Sequence, residues 1–168
     1  MTRHHALWIV PVLVTVHNAE EALALPRFLP AWQRAMPSAL RSLLPSPTYG
    51  QYLFALVVVT AIPWLIAAFG NLGKRTGVAA FLLLLLMTVM GLNAFWHIAA
   101  AGMLHGYAPG IVTAIAFNLL YAAYLIRRAF VERWFPRPQL ALMFPLALLV
   151  HGPLLLGLLL VANEVVGR

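Results

Sequence analysis

The 168-residue chain is 63% hydrophobic and only 9% charged, with a formal net charge of +7 and a mean hydropathy of +0.90. A soluble domain of this length is about half apolar and about a quarter charged, so polar surface is too scarce here to cover a water-soluble globule. Cysteine is absent, which excludes disulfides, Cys-ligated zinc and iron–sulfur clusters.

Lipid is therefore the expected solvent. A bilayer leaves no backbone group without an internal partner, so spanning elements must be helices or a closed barrel. The apolar runs are long and unbroken rather than alternating, which selects helices. The expected fold is all-α, a polytopic membrane helix bundle forming one domain over residues 1–168. The basic residues sit at the ends of apolar runs. There they serve orientation and contact with anionic headgroups, and no nucleic-acid partner is implied.

About five spans are expected, each near the ~20 residues needed to cross the hydrocarbon core. They cover residues 6–25, 51–70, 77–101, 109–126 and 140–161. Arg3 ahead of an apolar stretch ending in Ala22-Leu23-Ala24 imitates a cleaved signal peptide. The acidic residues crowding that region argue against cleavage. The first connection, 26–48, is the longest. Trp32, Met36, Leu40 and Leu43 recur there at helical spacing, with Arg34 and Arg41 on another face. This reads as a short amphipathic helix lying in the interface, and Pro26, Pro30, Pro37, Pro45 and Pro47 predict that no long regular helix forms.

Five crossings place Arg3, Lys74, Arg75, Arg127, Arg128, Arg133 and Arg137 on one side, and Arg27, Arg34, Arg41 and Arg168 on the other. Basic loops stay inside. The N-terminus is thus expected in the cytoplasm and the C-terminus outside.

The informative residues are those that do not belong in lipid. The chain has four acids, and two of them, Glu20 and Glu21, lie side by side in the first span. Each ionisable group there costs roughly 2.5–3.5 kcal/mol on insertion scales. His17 stands one helical turn before both. The third span contributes Asn93 and His97, which share a face. His105 and Tyr107 follow in the next connection. The fourth span opens with Pro109-Gly110, where proline suits a first turn, and carries Thr113, Asn118 and Tyr121. The fifth carries His151 beside Gly152 and Pro153. His17, Glu20, Glu21, His97, His105 and Tyr107 fall near one height, which points to a single site.

His17-Asn18-Ala19-Glu20-Glu21 resembles the name-giving motif of the HXXEE domain family of small bacterial membrane proteins. Asn93-Ala94-Phe95-Trp96-His97 and Tyr107-Ala108-Pro109-Gly110, with Thr113, are similar to that family's later motif block. The resemblance extends from the first span to the fourth. It implies an integral protein of a bacterial inner membrane with a site at these residues, and it implies no chemistry.

Three readings follow. In the first, His17, Glu21, His97 and His105 are ligands of a divalent metal, zinc or iron, since two histidines and a carboxylate form catalytic sets for both. Glu20 is then a general base or a partner of the ligands, and Tyr107 joins it in the catalytic group. Asn93, Thr113 and Asn118 line the substrate. His17 and Glu21 differ by about 40° around the axis and His17 and Glu20 by about 60°, which assigns Glu21 as the ligand. The substrate is a lipidic or amphipathic small molecule, and the reaction is a hydrolysis or an oxygenation. In the second reading, the glutamate pair serves a small transporter or proton-coupled binding protein. In the third, the cluster only joins helices of an accessory protein. His4 and His5 read as solvated, and His151 as a packing residue.

Overall fold

The computed structural model describes residues 1–35, 38, 47–72 and 77–166. Among the described residues there are five long helices and no strand: α1 (Arg3–Ala35), α2 (Tyr49–Phe69), α3 (Val78–Met103), α4 (Ile111–Val131) and α5 (Arg137–Val166). The chain is an all-α membrane-type helix bundle. Four of the helices, α2 to α5, are long and apolar enough to cross a membrane. α1 carries the polar His17–Glu21 segment within its apolar run.

α1 departs from the expected boundaries. It has 33 residues and contains Pro11, Pro26 and Pro30, so at ~1.5 Å per residue it is about 50 Å long. The break expected after residue 25 does not occur. A proline leaves the carbonyl one turn earlier without its helical donor, and for Pro26 that carbonyl is Ala22. The Tyr49 hydroxyl donates to it at 3.1 Å. Beyond Pro26 the helix is held by aromatic packing, with Phe28 against Tyr107 at 5.2 Å and Trp32 against Trp96 at 5.6 Å between ring centroids. Met36, Leu40, Arg41 and Leu43, which were expected to continue an interfacial helix, lie outside the described residues.

α3 is the central helix and touches each of the others. Of its most apolar stretch, 56% is buried, against 28% for α4 and 6% for α5. Small side chains permit this. A Cβ on Gly91 would come within 2.8 Å of the Ala122 Cβ on α4, so glycine sets the close approach of the two helices. Leu7, Val10, Leu83, Leu84, Met87 and Leu125 fill the core where α1, α3 and α4 meet.

Two π-helical turns interrupt the bundle, at Ala114–Leu119 in α4 and Val150–Leu154 in α5. The second contains His151 and Pro153. Helices α3 and α4 end alike. The amide of Gly106 donates to Ala101 and that of His105 to Gly102, while Trp134 donates to Ala129 and Arg133 to Phe130. This is the Schellman pattern, whose left-handed position usually holds glycine. Here His105 (φ 50°) and Arg133 (φ 52°) occupy it, at a cost of about 1–2 kcal/mol each.

One end of the bundle is basic. Arg3 donates to the Leu72 carbonyl, and Arg128 donates to that of Met1. The head of α1, the tail of α2 and the tail of α4 therefore share that end. At the other, Gln51 of α2 donates to Asn163 of α5 at 3.0 Å.

Candidate metal centre

The motif in α1 spends each of its polar residues in a different direction. Asn18 donates to Thr60 of α2 at 2.7 Å and locks α1 to that helix. Glu20 turns to the first turn of α4. Its Oε1 accepts from the Tyr107 hydroxyl at 2.8 Å and the Val112 amide at 3.2 Å. Its Oε2 accepts from the Thr113 amide at 2.8 Å and the Thr113 hydroxyl at 2.6 Å. Four donors fill the acceptor capacity of an ionised carboxylate, and a helix N-terminus favours the negative charge. Tyr107 lies in the connection outside the spanning helices. Burial and then its bond to Glu20 hold its hydroxyl proton, pushing the pKa up to about 12.

This arrangement fixes the tautomer of His17. Its Nδ1 lies 2.9 Å from the Thr113 hydroxyl oxygen. That hydroxyl has one hydrogen, and Glu20 takes it at the shorter distance. The oxygen must then accept from His17, so Nδ1 carries the proton and Nε2 presents a lone pair. His97 is set the same way. Its Nε2 lies 2.9 Å from Asn93 Nδ2, an amide nitrogen that can only donate, so Nε2 is the acceptor. Asn93 Nδ2 also lies 3.1 Å from His17 Nε2, so one amide group bridges both lone pairs.

Glu21 faces the same point. Its Oε2 is 3.7 Å from His17 Nε2, and its Oε1 is 3.6 Å from His97 Nε2. One ligand atom from each of His17, Glu21 and His97 lies within 4.8 Å of the others. The imidazole rings meet edge to face at 4.8 Å. His17 is 0% exposed and His97 4%, whereas the Glu21 side chain is 23% exposed and opens the cluster to its surroundings.

Gly110 closes the other side. It adopts φ +84°, and a Cβ there would stand 2.7 Å from His97 Cε1, 2.8 Å from Glu21 Cγ and 2.9 Å from His17 Cε1. The backbone of the Pro109-Gly110 turn thus lies directly against all three residues. In the sequence this dipeptide stands out as a helix start and as part of the later motif block. Its signal was a glycine immediately before a helix in a connection already rich in polar residues.

The structure brings together His17, Glu20, Glu21, Asn93, His97, Tyr107 and Thr113. It places two of the expected residues elsewhere. His105 is exposed at the left-handed position ending α3 and is outside the three-residue ligand group. Asn118 is fully buried in the π turn of α4, and neither of its side-chain polar atoms has a hydrogen-bond partner among the described residues. His151 is half-buried in the π turn of α5 and is outside the three-residue ligand group.

A family model described as a protein of unknown function with HXXEE motif matches residues 8–125. The stretch includes every residue of the cluster. The chain is also 28% identical over 148 residues to the uncharacterized protein YrkK of Bacillus subtilis (strain 168), an alignment that covers 87% of this chain and 85% of that one. No solved structure matches.

Proposed function

The chain belongs to the HXXEE family, and we propose that it is a membrane-embedded, metal-dependent enzyme, a hydrolase or oxygenase acting on a lipidic or amphipathic small molecule. The observation that carries this reading is the convergence of two neutral Nε2 lone pairs and a carboxylate within 4.8 Å. Ligands on a tetrahedral ion with bonds of ~2.0 Å stand about 3.3 Å apart. The two histidine–carboxylate separations of 3.6 and 3.7 Å need a contraction of about 0.3–0.4 Å to reach that spacing, and a separation at the group's 4.8 Å limit needs about 1.5 Å. Zinc and iron(II) both accept two histidines and one carboxylate. Such an ion would supply Lewis acidity toward a substrate oxygen.

The protein's own groups divide the remaining tasks. Glu20 and Thr113 hold the His17 ring in the ligating tautomer, as partners of metal ligands do. Tyr107, whose single hydroxyl hydrogen goes to Glu20 at 2.8 Å, sits at the exposed rim with a hydroxyl oxygen able to accept from a bound polar group. Glu21 offers the open side. Phe28, Trp32 and Trp96 flank that end with aromatic surface, which supports an amphipathic substrate. We further propose a cytoplasmic N-terminus and an external C-terminus in a bacterial inner membrane, which places the centre toward the outer face.

Asn93 favours a second reading. Its bridge between both Nε2 atoms satisfies them without an ion, as in a metal-free transporter or a structural cluster. Elemental analysis separates the two. Wild type purified in mild detergent without chelators should carry about one zinc or iron per chain, and E21Q and H97A should carry none. E20Q should keep metal at reduced affinity. A folded, metal-free wild type that takes up neither ion on addition would refute the metal reading.

A further inference from the structure

At the end of the bundle away from the histidine–glutamate cluster, the turn joining α4 to α5 forms an open groove of about 740 Å³. Arg133, Arg137, Phe130, Trp134, Phe135 and Leu140 line it. The volume lies within the range of roughly 300–1,000 Å³ typical of sites that bury a small ligand. Its wall is rigid. Trp134 is 2% exposed, its indole nitrogen donates to Glu132 at 2.8 Å, and the guanidinium groups of Arg3 and Arg128 lie 5.9 and 5.7 Å from its ring centroid.

The two lining arginines stand where the backbone disfavours them. Arg133 holds the left-handed position in which glycine is unstrained. Arg137 opens α5, where a cation opposes the helix dipole. An observed backbone outlier of this kind points to a role for the side chain, and both side chains meet at the same groove. Both are exposed. Neither is ion-paired with an acid among the described residues. Glu132, the one acid in this part of the sequence, is engaged by Arg128 and Trp134. Arg3, Arg127, Arg128, Arg133 and Arg137 thus face a single glutamate at this end.

We propose that the groove binds an anionic phospholipid of the surrounding bilayer. Arg133 and Arg137 hold the phosphate, matching guanidinium forks to its oxygens, and Phe130, Phe135 and Leu140 receive the adjoining acyl chain. Phe130 is 58% exposed and extends the apolar surface toward lipid. The excess of arginine selects an anionic over a zwitterionic headgroup. This site is independent of the metal reading.

The test uses the full chain in detergent micelles, titrated with phosphatidylglycerol, phosphatidylcholine or inorganic phosphate. Lipid occupancy is read by native mass spectrometry and stability by thermal unfolding. Each arginine near an anionic surface contributes roughly five-fold in affinity, so two give about thirty-fold. Phosphatidylglycerol should therefore bind wild type about thirty-fold more tightly than phosphatidylcholine and raise its Tm. R133G/R137Q should lose that preference. Its Tm in phosphatidylcholine should stay at or above that of wild type, because glycine relieves the left-handed turn. R137Q alone, which leaves the turn intact, should lose about five-fold. Equal binding of the two lipids by wild type, or an undiminished preference in R133G/R137Q, would overturn the proposal. So would inorganic phosphate raising the Tm as much as the lipid does, since that result marks a free-anion site.

Discussion

The position most diagnostic of the centre is one that binds no metal. Thr113→Val keeps the shape of the side chain and removes a hydroxyl that lies 2.6 Å from Glu20 and 2.9 Å from His17 Nδ1. His17 is 0% exposed, so its Nδ1–H would be left buried without an acceptor. That costs about 1–3 kcal/mol. Glu20 keeps three of its four donors, and the loss there is correspondingly smaller. The tautomer preference of His17 is also released, and disturbing a ligand's hydrogen-bonded partner lowers metal affinity about 10–100-fold. T113V should therefore unfold at lower temperature and bind zinc about 10–100-fold more weakly in a chelator competition. T113S, which restores the hydroxyl, should behave as wild type in both assays. If T113V matches wild type in zinc affinity and Tm, then Thr113 does not orient His17 and the tautomer reasoning fails.

Gly110→Ala should be severe, because its Cβ would meet His97, Glu21 and His17 at 2.7–2.9 Å at a backbone angle of +84°. A loss of about 2–4 kcal/mol in stability together with loss of metal is expected from melting curves and elemental analysis. Asn93→Ala separates the two readings of the cluster. A metal centre should keep its ion within about ten-fold of wild-type affinity, while a purely hydrogen-bonded cluster should lose about 1–3 kcal/mol for each stranded nitrogen and bind no metal. For topology, S38C should react with an impermeant maleimide on intact cells and T76C only after permeabilisation. The reverse pattern would invert the proposed orientation.

Hydrophobicity alone located the five helices, because runs of apolar residues without charge have few alternatives in lipid. It misplaced the end of the first. The helix-breaking tendency of Pro26 is local, whereas the Tyr49 hydroxyl that meets the freed Ala22 carbonyl comes from another helix and is invisible to spacing. The convergence of His17, Glu21 and His97 was legible because equal heights on facing helices leave polar groups only each other as partners. The spacing argument also put Glu21 beside His17. It could not reveal that Glu20 docks on the first turn of α4, since the partners Thr113 and Val112 are more than ninety residues away. His105 was expected in the ligand set because the connection that carries it falls at the height of the other groups. The reversal of the chain at the end of α3 turns it to the surface instead. The π turns left no mark in the sequence beyond Pro153, and the first of them, in α4, begins directly after Thr113.

Two adjacent carboxylates in one apolar helix look redundant, and their geometry gives each a distinct physical task. Glu20 is engaged by four donors from the Tyr107–Thr113 segment. It joins α1 to α4 and, through the single hydroxyl hydrogen of Thr113, settles which nitrogen of His17 is bare. Glu21 has no comparable donors among the described residues. It lies 3.6 to 3.7 Å from two imidazole nitrogens and keeps 23% of its side chain exposed. On the proposed metal reading, one turn of helix carries both a ligand pair and the device that orients it, and Asn18 between them fastens that turn to α2. A conservative exchange at the two positions should thus fail differently. Shortening Glu20 to Asp withdraws the carboxylate from the α4 terminus and should lower Tm first, with weaker metal binding as a consequence. Shortening Glu21 to Asp leaves those bonds intact and should lower metal affinity at nearly unchanged Tm of the metal-free protein. Identical profiles for the two variants would show that the carboxylates share one role, and the division of labour between them would have to be abandoned.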